Sequence, residues 1–390
     1  MKLFINKEDC CGCSACMNIC PKKAINMEKD EKGFIYPQID EKKCVDCGLC
    51  KKACGFINDY DKSELLNESI VYAARYNDDN ARKKSSSGGI FYALSEYVLE
   101  NGGVVYGAVF DDEFNVKHIR AITREDRDKQ LGAKYVQSSI GSSYRDARKD
   151  LEEGRLVLFT GTPCQIASLQ TFLNKHYDNL IKCDIICHSV PSPKVFKEYI
   201  KELENRYDSK VKRYSFRGKG QRVISQAVKV DFEDGKKYSK GDIAYDPFGA
   251  LFGSDKISRP SCFKCKFTNM ERPSDITIGD FWGIQKAVPG FADKNGTSVI
   301  IVNTDKGIDT INKINMNLTM VKSSFDKCPH KNLRKNSKKP IDYDKAWEDY
   351  KNNGYLYLAK KYGRDNVKDQ ILIRIKSIVK RIKKQVMYKC

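Results

Sequence analysis

The sequence predicts an α+β fold class from three features: two cysteine runs near the N-terminus, short apolar runs alternating with helix-like segments through the middle, and a basic amphipathic end. The first run is Cys10-x2-Cys13-x2-Cys16-x3-Cys20, followed by Pro21, and the second is Cys44-x2-Cys47-x2-Cys50-x3-Cys54. Three cysteines at successive x2 spacings and a fourth at x3 wrap a chain around an iron–sulfur cube. In a two-cluster module the fourth cysteine of each run serves the other cluster. Residues 1–60 are therefore expected to form a bacterial-type 2x[4Fe–4S] ferredoxin-like domain. Residues 70–345 are expected to form a mixed α/β domain, and residues 346–390 a helical basic tail.

Other uses of eight cysteines fit less well. A disulfide framework needs an oxidising compartment, and the start MKLFINKEDCC has no apolar signal core, so a cytoplasmic location is expected. Zinc knuckles pair C-x2-C units across a longer gap. Cys11 falls outside the register set by Cys10 and Cys13 and reads as a spare thiol. Gly12, Ser14, Ala15, Gly48 and Leu49 leave room for backbone close to a cubane, and Gly55 stands in the second run where Pro21 closes the first. GFIYPQID (33–40) reads as a hairpin lid over the clusters, and NDYDKSELLNES (58–69) as a linker.

In the larger part, VVYGAVF (104–110), LVLFT (156–160), IKCDIIC (181–187) and SVIIVN (298–303) read as strands with helices between several of them. VISQAVKVDFEDGKKY (223–238) reads as a hairpin turning at Asp234-Gly235. The formal charge of +19 comes from lysines spread throughout, without a nucleic-acid module, so no nucleic-acid partner is expected; an acidic redox partner or an anionic cofactor suits it. No run of 18 apolar residues is present. At the end, Ile371, Ile375, Ile378, Val379, Ile382 and Val386 fall on one helical face among eight Lys or Arg in residues 366–390. Such a helix either lies on the anionic inner face of a membrane or packs on the protein's own core with lysines outward.

A second cysteine set follows. Cys164 sits in TGTPCQI after a strand, with Thr162 as cap and Pro163 in the first helical turn, where a thiolate is favoured. Cys187 follows the next strand, so in one parallel sheet the two would share its carboxyl edge, where open α/β sheets build sites. Cys262 and Cys265 form a C-x2-C pair. The four suit a third [4Fe–4S] cluster, a zinc ion or merely structural thiols. Cys183 reads as core, and Cys328 and Cys390 have no evident partner. SSSGG (85–89) before an apolar helix is either an anion cradle or an ordinary cap. GAKYVQS (132–138) carries a lysine, an aromatic and polar donors, and DITIGDFWG (275–283) ends a strand with Asp280 and Trp282 that border a planar cofactor or belong to the core. His188, beside Cys187, is either a proton donor or a hydrogen-bonding support for the cysteine.

Together the cysteine runs, SSSGG, KYVQS (134–138), TGTPCQI (160–166), ICHSVPSP (186–193), CFKCKF (262–267) and DITIGDFWG resemble the coenzyme F420 hydrogenase/dehydrogenase beta subunit family over nearly all of the chain to about residue 345. The resemblance implies a flavin-dependent iron–sulfur oxidoreductase. FAD would sit in the α/β domain against Ser87, Gly88, Gly89, Lys134, Tyr135, Thr162, Gln165, Asp280 and Trp282. A third cluster would sit on Cys164, Cys187, Cys262 and Cys265, and Lys134 and His188 are the catalytic candidates. A nicotinamide site is not expected, because no G-x-G-x-x-G follows a first strand. The implied partners are a ferredoxin or similar one-electron carrier and a small organic acceptor, with a homo-oligomer compatible. Polysaccharide biosynthesis is one setting for such chains; a deazaflavin oxidoreductase, or an electron-transfer subunit feeding a separate catalytic partner, is the alternative.

Overall fold

A computed structural model describes residues 3–219, 227–373 and 375. Its strands, in chain order, are β1 (Ile25–Lys29), β2 (Ile35–Ile39), β3 (Leu65–Tyr76), β4 (Val104–Phe110), β5 (Val116–Ala121), β6 (Ser138–Ser139), β7 (Val157–Gly161), β8 (Leu180–Ile185), β9 (Val211–Gly218), β10 (Ala227–Phe232), β11 (Lys237–Lys240), β12 (Ile276–Asp280), β13 (Ser298–Thr304) and β14 (Leu318–Ser323). Nine form one mixed sheet in the order β14-β3-β13-β12-β8-β7-β4-β5-β6. Its centre, β12-β8-β7-β4, is parallel. The flanking pairs β12-β13, β13-β3, β3-β14 and β4-β5 are antiparallel. β9, β10 and β11 form a separate antiparallel sheet.

The period-2 alternation of the apolar runs decides how this sheet is covered. Val105 and Leu158 point to the face packed by the helix Ile90–Glu100, through Leu94 and Val98. Their neighbours Val104, Tyr106, Val157 and Phe159 point to the other face, under the helices Ser143–Glu152 and Pro163–Leu173. The N-terminal module joins this second face: Cys13, Ala15 and Ala53 share one buried cluster with Ile166, Leu169 and Phe172. Gly55 allows that approach, since a Cβ there would lie 2.7 Å from the carbonyl carbon of Ala167 and from the amide of Ser168.

Three expectations change. Segment 33–40 is one arm of a hairpin, β2, whose other arm is β1; the turn lies between them. The stretch 58–69 is not a free linker. Tyr60 is buried and donates to the Glu271 carbonyl at 2.8 Å, its ring lies 6.2 Å from that of Phe267, and β3 already begins at Leu65. Gly89, with φ of 89°, caps the helix Ile90–Glu100 in place of a serine side chain. The hairpin at Asp234-Gly235 is present as β10 and β11, while residues 220–226, and so the first part of the proposed 223–238 hairpin, lie outside the described residues. The tail helix is described only over residues 367–373 and 375; Ile378, Val379, Ile382 and Val386 lie outside the described residues. No helix among the described residues is long and apolar enough to cross a membrane.

Candidate cluster and cofactor site

The two cysteine runs fold alike. Each carries left-handed residues at matched positions: Gly12 (φ 71°) and Ser14 (φ 64°) in the first, Asp46 (φ 51°) and Gly48 (φ 74°) in the second. Left-handed residues interleaved with right-handed ones turn successive amides toward one centre, the backbone arrangement that receives anions and Fe–S groups. Ser14 and Gly48 then cap the short helices Ala15–Ile19 and Leu49–Lys52. One concavity is lined by Cys10, Cys11, Cys13, Cys16, Cys50 and Cys54, the other by Cys20, Cys44, Cys47 and Cys50, so Cys54 sits with the first run and Cys20 with the second while Cys50 borders both. Each run thus lends its fourth cysteine to the other site, as a two-cluster module requires. Burial and the neighbouring Cys13, Cys10 and Cys54 push the Cys16 thiol up, and burial and Cys13 push Cys54 to about 11. Thiols held protonated in this way give up their protons only when a metal binds them.

The parallel centre of the large sheet brings the second set together. β7 ends at Gly161, and Pro163 opens the next helix with Thr162 as its cap, which places Cys164 in the first turn. β8 ends at Ile185, two residues before Cys187. The turn Pro260–Lys264 carries Cys262 and leads into Cys265. Cys187 is raised well above its usual value by burial and by Cys262, Cys164 and Cys265. Burial and Cys164 likewise push Cys265 to about 11. Four thiols that feel one another's charge suit a thiolate-bound iron–sulfur group or zinc. Among the described residues, no three His, Cys, Asp or Glu side chains are gathered tightly enough to hold a single ion.

Cys11 is a residue the spacing argument missed. Its thiol lies within hydrogen-bonding reach of both Cys13 and Cys164, and this pull lowers Cys13 to about 6 and lowers Cys164 as well. Cys11 therefore joins the N-terminal thiols to the second set. Cys183 is buried core and Cys328 is buried.

The remaining candidates gather beside this set. Ser86 Oγ accepts the Ala133 amide at 2.6 Å, which ties the SSSGG loop to GAKYVQS. The Gly88 amide donates to Ser298 Oγ at 2.9 Å, and Ser298 pairs with Asp280 across β13 and β12. Asp280 holds Arg217 at 2.7 Å. Tyr135 stacks on Phe252 at 5.1 Å, and burial raises its pKa against the pull of Arg217. Trp282, 44% exposed, stacks on His330 at 4.3 Å. Ser87 Oγ donates to the Thr297 carbonyl at 3.2 Å. The half-buried Lys134 ammonium donates to the carbonyls of Gln130, Leu131 and Gly132 at 3.1, 2.9 and 3.1 Å, and burial lowers it to about 7. Thr162 and Gln165 are engaged with each other as a helix cap, the Thr162 amide donating to Gln165 Oε1 at 2.9 Å, and Thr162 Oγ1 lies 3.2 Å from Cys164 Sγ. Burial opposes the charged form of His188, but Asp255, 3.3 Å away, raises it, and Phe252 meets it edge-on at 5.2 Å.

Arg82, Arg217 and Lys219 were not legible as site residues. Lys219 Nζ donates to the carbonyls of Arg82, Ser87 and Asn295, and burial followed by Arg82 and Arg217 lowers it to about 8. Arg82 Nε, Arg217 Nε, Asn295 Nδ2 and Thr297 Oγ1 are buried without a hydrogen-bond partner among the described residues. Unpaired donors around one loop are costly unless an acceptor arrives. A phosphate-bearing ligand supplies such acceptors.

A mixed-sheet α/β domain joined to a two-run cysteine module is the class these features define. The chain belongs to the coenzyme F420 hydrogenase/dehydrogenase beta subunit family: the family's N-terminal part matches residues 71–143 and its C-terminal part residues 154–327. Residues 9–56 match a 4Fe-4S dicluster domain. A coenzyme F420-dependent sulfite reductase of Methanocaldococcus jannaschii is 24% identical over 79% of this chain and 46% of its own length, so the chain spans about half of that relative. An uncharacterised ferredoxin of the same organism is 33% identical over 14% of this chain and 69% of its own length. A chain of the F420-reducing [NiFe] hydrogenase complex from Methanosarcina barkeri is 22% identical, with a TM-score of 0.46 over 68% of this chain and 85% of that one.

Proposed function

We propose that the protein is an iron–sulfur flavoprotein oxidoreductase that exchanges electrons between a one-electron carrier such as ferredoxin and an organic hydride partner. The observation that carries this reading is the continuity of thiols from Cys54 and Cys13 through Cys11 to Cys164 and Cys187, with Tyr135 and the unpaired donors of Arg217, Asn295 and Thr297 beside its end. When bound, cubanes supply single electrons and a flavin supplies hydride transfer, so the pair converts one currency to the other.

In this reading Cys10, Cys13, Cys16 and Cys54 hold one cluster, Cys20, Cys44, Cys47 and Cys50 a second, and Cys164, Cys187, Cys262 and Cys265 a third. Gly88 and Gly89 let the SSSGG loop pack closely against the sheet beside a diphosphate, and Lys219, Arg82 and Arg217 supply positive charge to it. Lys134, whose pKa burial lowers to about 7, and His188, held by Asp255, are the groups able to donate a proton. The F420 in the relatives' names favours a deazaflavin as hydride partner. The length of the sulfite reductase relative beyond this chain favours a second reading, an electron-transfer subunit serving a separate catalytic partner. A polysaccharide acceptor has no support among these relatives or the described residues.

Anaerobic purification followed by iron, sulfide, zinc and flavin counts tests the proposal. About twelve iron atoms and one FAD per chain are expected, with Cys187→Ser losing about four of the irons. About eight irons, zinc in the remainder, or no flavin would overturn it. Reduction of added F420 by the isolated chain separates the enzyme from the subunit.

A further inference from the structure

Among the described residues, Arg259 is a buried cation with no carboxylate partner. It is 1% exposed. Its Nε donates to the Cys10 carbonyl at 2.9 Å, Nη1 to Gln137 Oε1 at 3.1 Å and Nη2 to the Ile35 carbonyl at 3.0 Å, with Cys10 Sγ 3.8 Å from Nη2. The guanidinium lies 4.1 Å from the Tyr36 ring centre. None of these hydrogen-bonding neighbours is a carboxylate. A buried charge needs a counter-charge, and the fork already reaches the first cysteine of one cluster run. At its other end, the Arg259 carbonyl accepts the Cys262 amide at 3.0 Å, so the same residue caps the turn that presents the C-x2-C pair. Its charge bears on Cys10 and Cys13 on one side and on Cys164 and Cys262 on the other.

We infer that Arg259 is the shared counter-cation of two thiolate-bound clusters, the one on Cys10, Cys13, Cys16 and Cys54 and the one on Cys164, Cys187, Cys262 and Cys265. A cubane on four thiolates is a net anion, and it becomes more negative on reduction. A cation fixed beside it in a dry setting favours the reduced form. Placed between the two, Arg259 raises the potentials of both together. It is a positioning residue and holds no metal.

This inference rests on the cluster assignment above. The test is an EPR-monitored redox titration of the full-length holoprotein, with iron counted, for the wild type, Arg259→Gln, Arg259→Lys and Gln137→Glu. Gln137→Glu sets a carboxylate against the guanidinium while keeping the acceptor that Arg259 and the Ile35 amide use. At the wild-type midpoint of the first cluster, Arg259→Gln is expected to be at least tenfold less reduced, about 59 mV for a one-electron couple. Gln137→Glu should move the same way, and Arg259→Lys should stay within about threefold of wild type. The cluster on Cys20, Cys44, Cys47 and Cys50, which Arg259 does not touch, serves as internal reference.

Unshifted potentials in both Arg259→Gln and Gln137→Glu would overturn the inference with the cluster assignment intact. An equal shift in Arg259→Lys and Arg259→Gln would make Arg259 a mechanical clamp and overturn it too. If Arg259→Gln fails to retain iron, Gln137→Glu and Arg259→Lys decide: a downward shift in the first and none in the second supports the inference, and any other pattern ends it. A wild-type count of about eight irons would sink the third cluster, and with it the sharing.

Discussion

Replacing Asp184 with Asn leaves Arg272 buried without its counter-charge. The pair sits under the second cysteine set: Arg272 Nη2 lies 3.0 Å from Asp184 Oδ2, with the two side chains 1% and 0% exposed. The same guanidinium donates to the Phe267 carbonyl at 2.5 Å and the Ile185 carbonyl at 3.2 Å. Phe267 lies two residues after Cys265 and Ile185 two before Cys187, so one arginine ties the two cysteine-bearing segments. Burial pushes the Asp184 carboxyl above its ordinary value against the pull of Arg272, so the pair as a whole is not strongly stabilising. Breaking it is another matter. Removing one partner of a buried pair costs about 3–5 kcal/mol, and the two carbonyls kept by Arg272 put Asp184→Asn at the lower end, about 3 kcal/mol. For a domain of this size that lowers Tm by about 4–5 °C. The double variant Asp184→Asn/Arg272→Met removes the stranded charge and should recover about half the loss or more. Anaerobic thermal unfolding followed by circular dichroism, with iron counted before heating, measures both. A loss under about 1 kcal/mol in Asp184→Asn, or a double variant as unstable as the two single losses added, would refute the reasoning.

His118 is buried, bonded to Ser138 Oγ at 2.6 Å and the Thr160 carbonyl at 3.0 Å, and burial lowers it to about 4. The unfolded chain takes up a proton near pH 6.5 and the native one only near 4, so stability falls as pH drops through that window, by up to about 3 kcal/mol. His118→Gln should lack that slope in urea titrations at a series of pH values, and an unchanged slope would assign it elsewhere. Gly55→Ala drives a Cβ to 2.7 Å from the Ala167 backbone and should cost about 1–3 kcal/mol, read as a lower urea midpoint; an unchanged midpoint would mean the module yields freely. Gly88→Ala puts a Cβ 2.6 Å from the Ala74 carbonyl and 2.7 Å from the Ser298 amide. FAD content should fall with iron unchanged, and full FAD occupancy would remove Gly88 from the cofactor site.

The parts legible in the sequence were those written as local pattern. Spacing marked the two runs, and alternation marked the strands at 104–110, 156–160, 181–187 and 298–303, all present. The strand–cap–proline order around Cys164 and the strand before Cys187 put both at one sheet edge, as β7 and β8 do. What escaped depends on residues far apart in the chain. Cys11 looked spare because its register was already filled, yet its partner Cys164 comes from another domain. Arg259 and Arg217 were two among seventy Lys and Arg, and only burial singles them out. Tyr60 lay in a polar stretch whose one aromatic finds its pocket beside Phe267. SSSGG offered serines as caps, but the turn needed the left-handed backbone of Gly89.

The seam between Gly55 and the helix Pro163–Leu173 bears on how the protein is made. The first sixty residues leave the ribosome long before their apolar face has anything to cover it, since Ile166, Leu169 and Phe172 are still to be translated. Contacts of such long sequence separation form late. The nascent module therefore spends that interval with Cys13, Ala15 and Ala53 uncovered, and its thiols open to metal, oxidant or a loading machinery. The order of biogenesis favours clusters inserted before the helix closes over them.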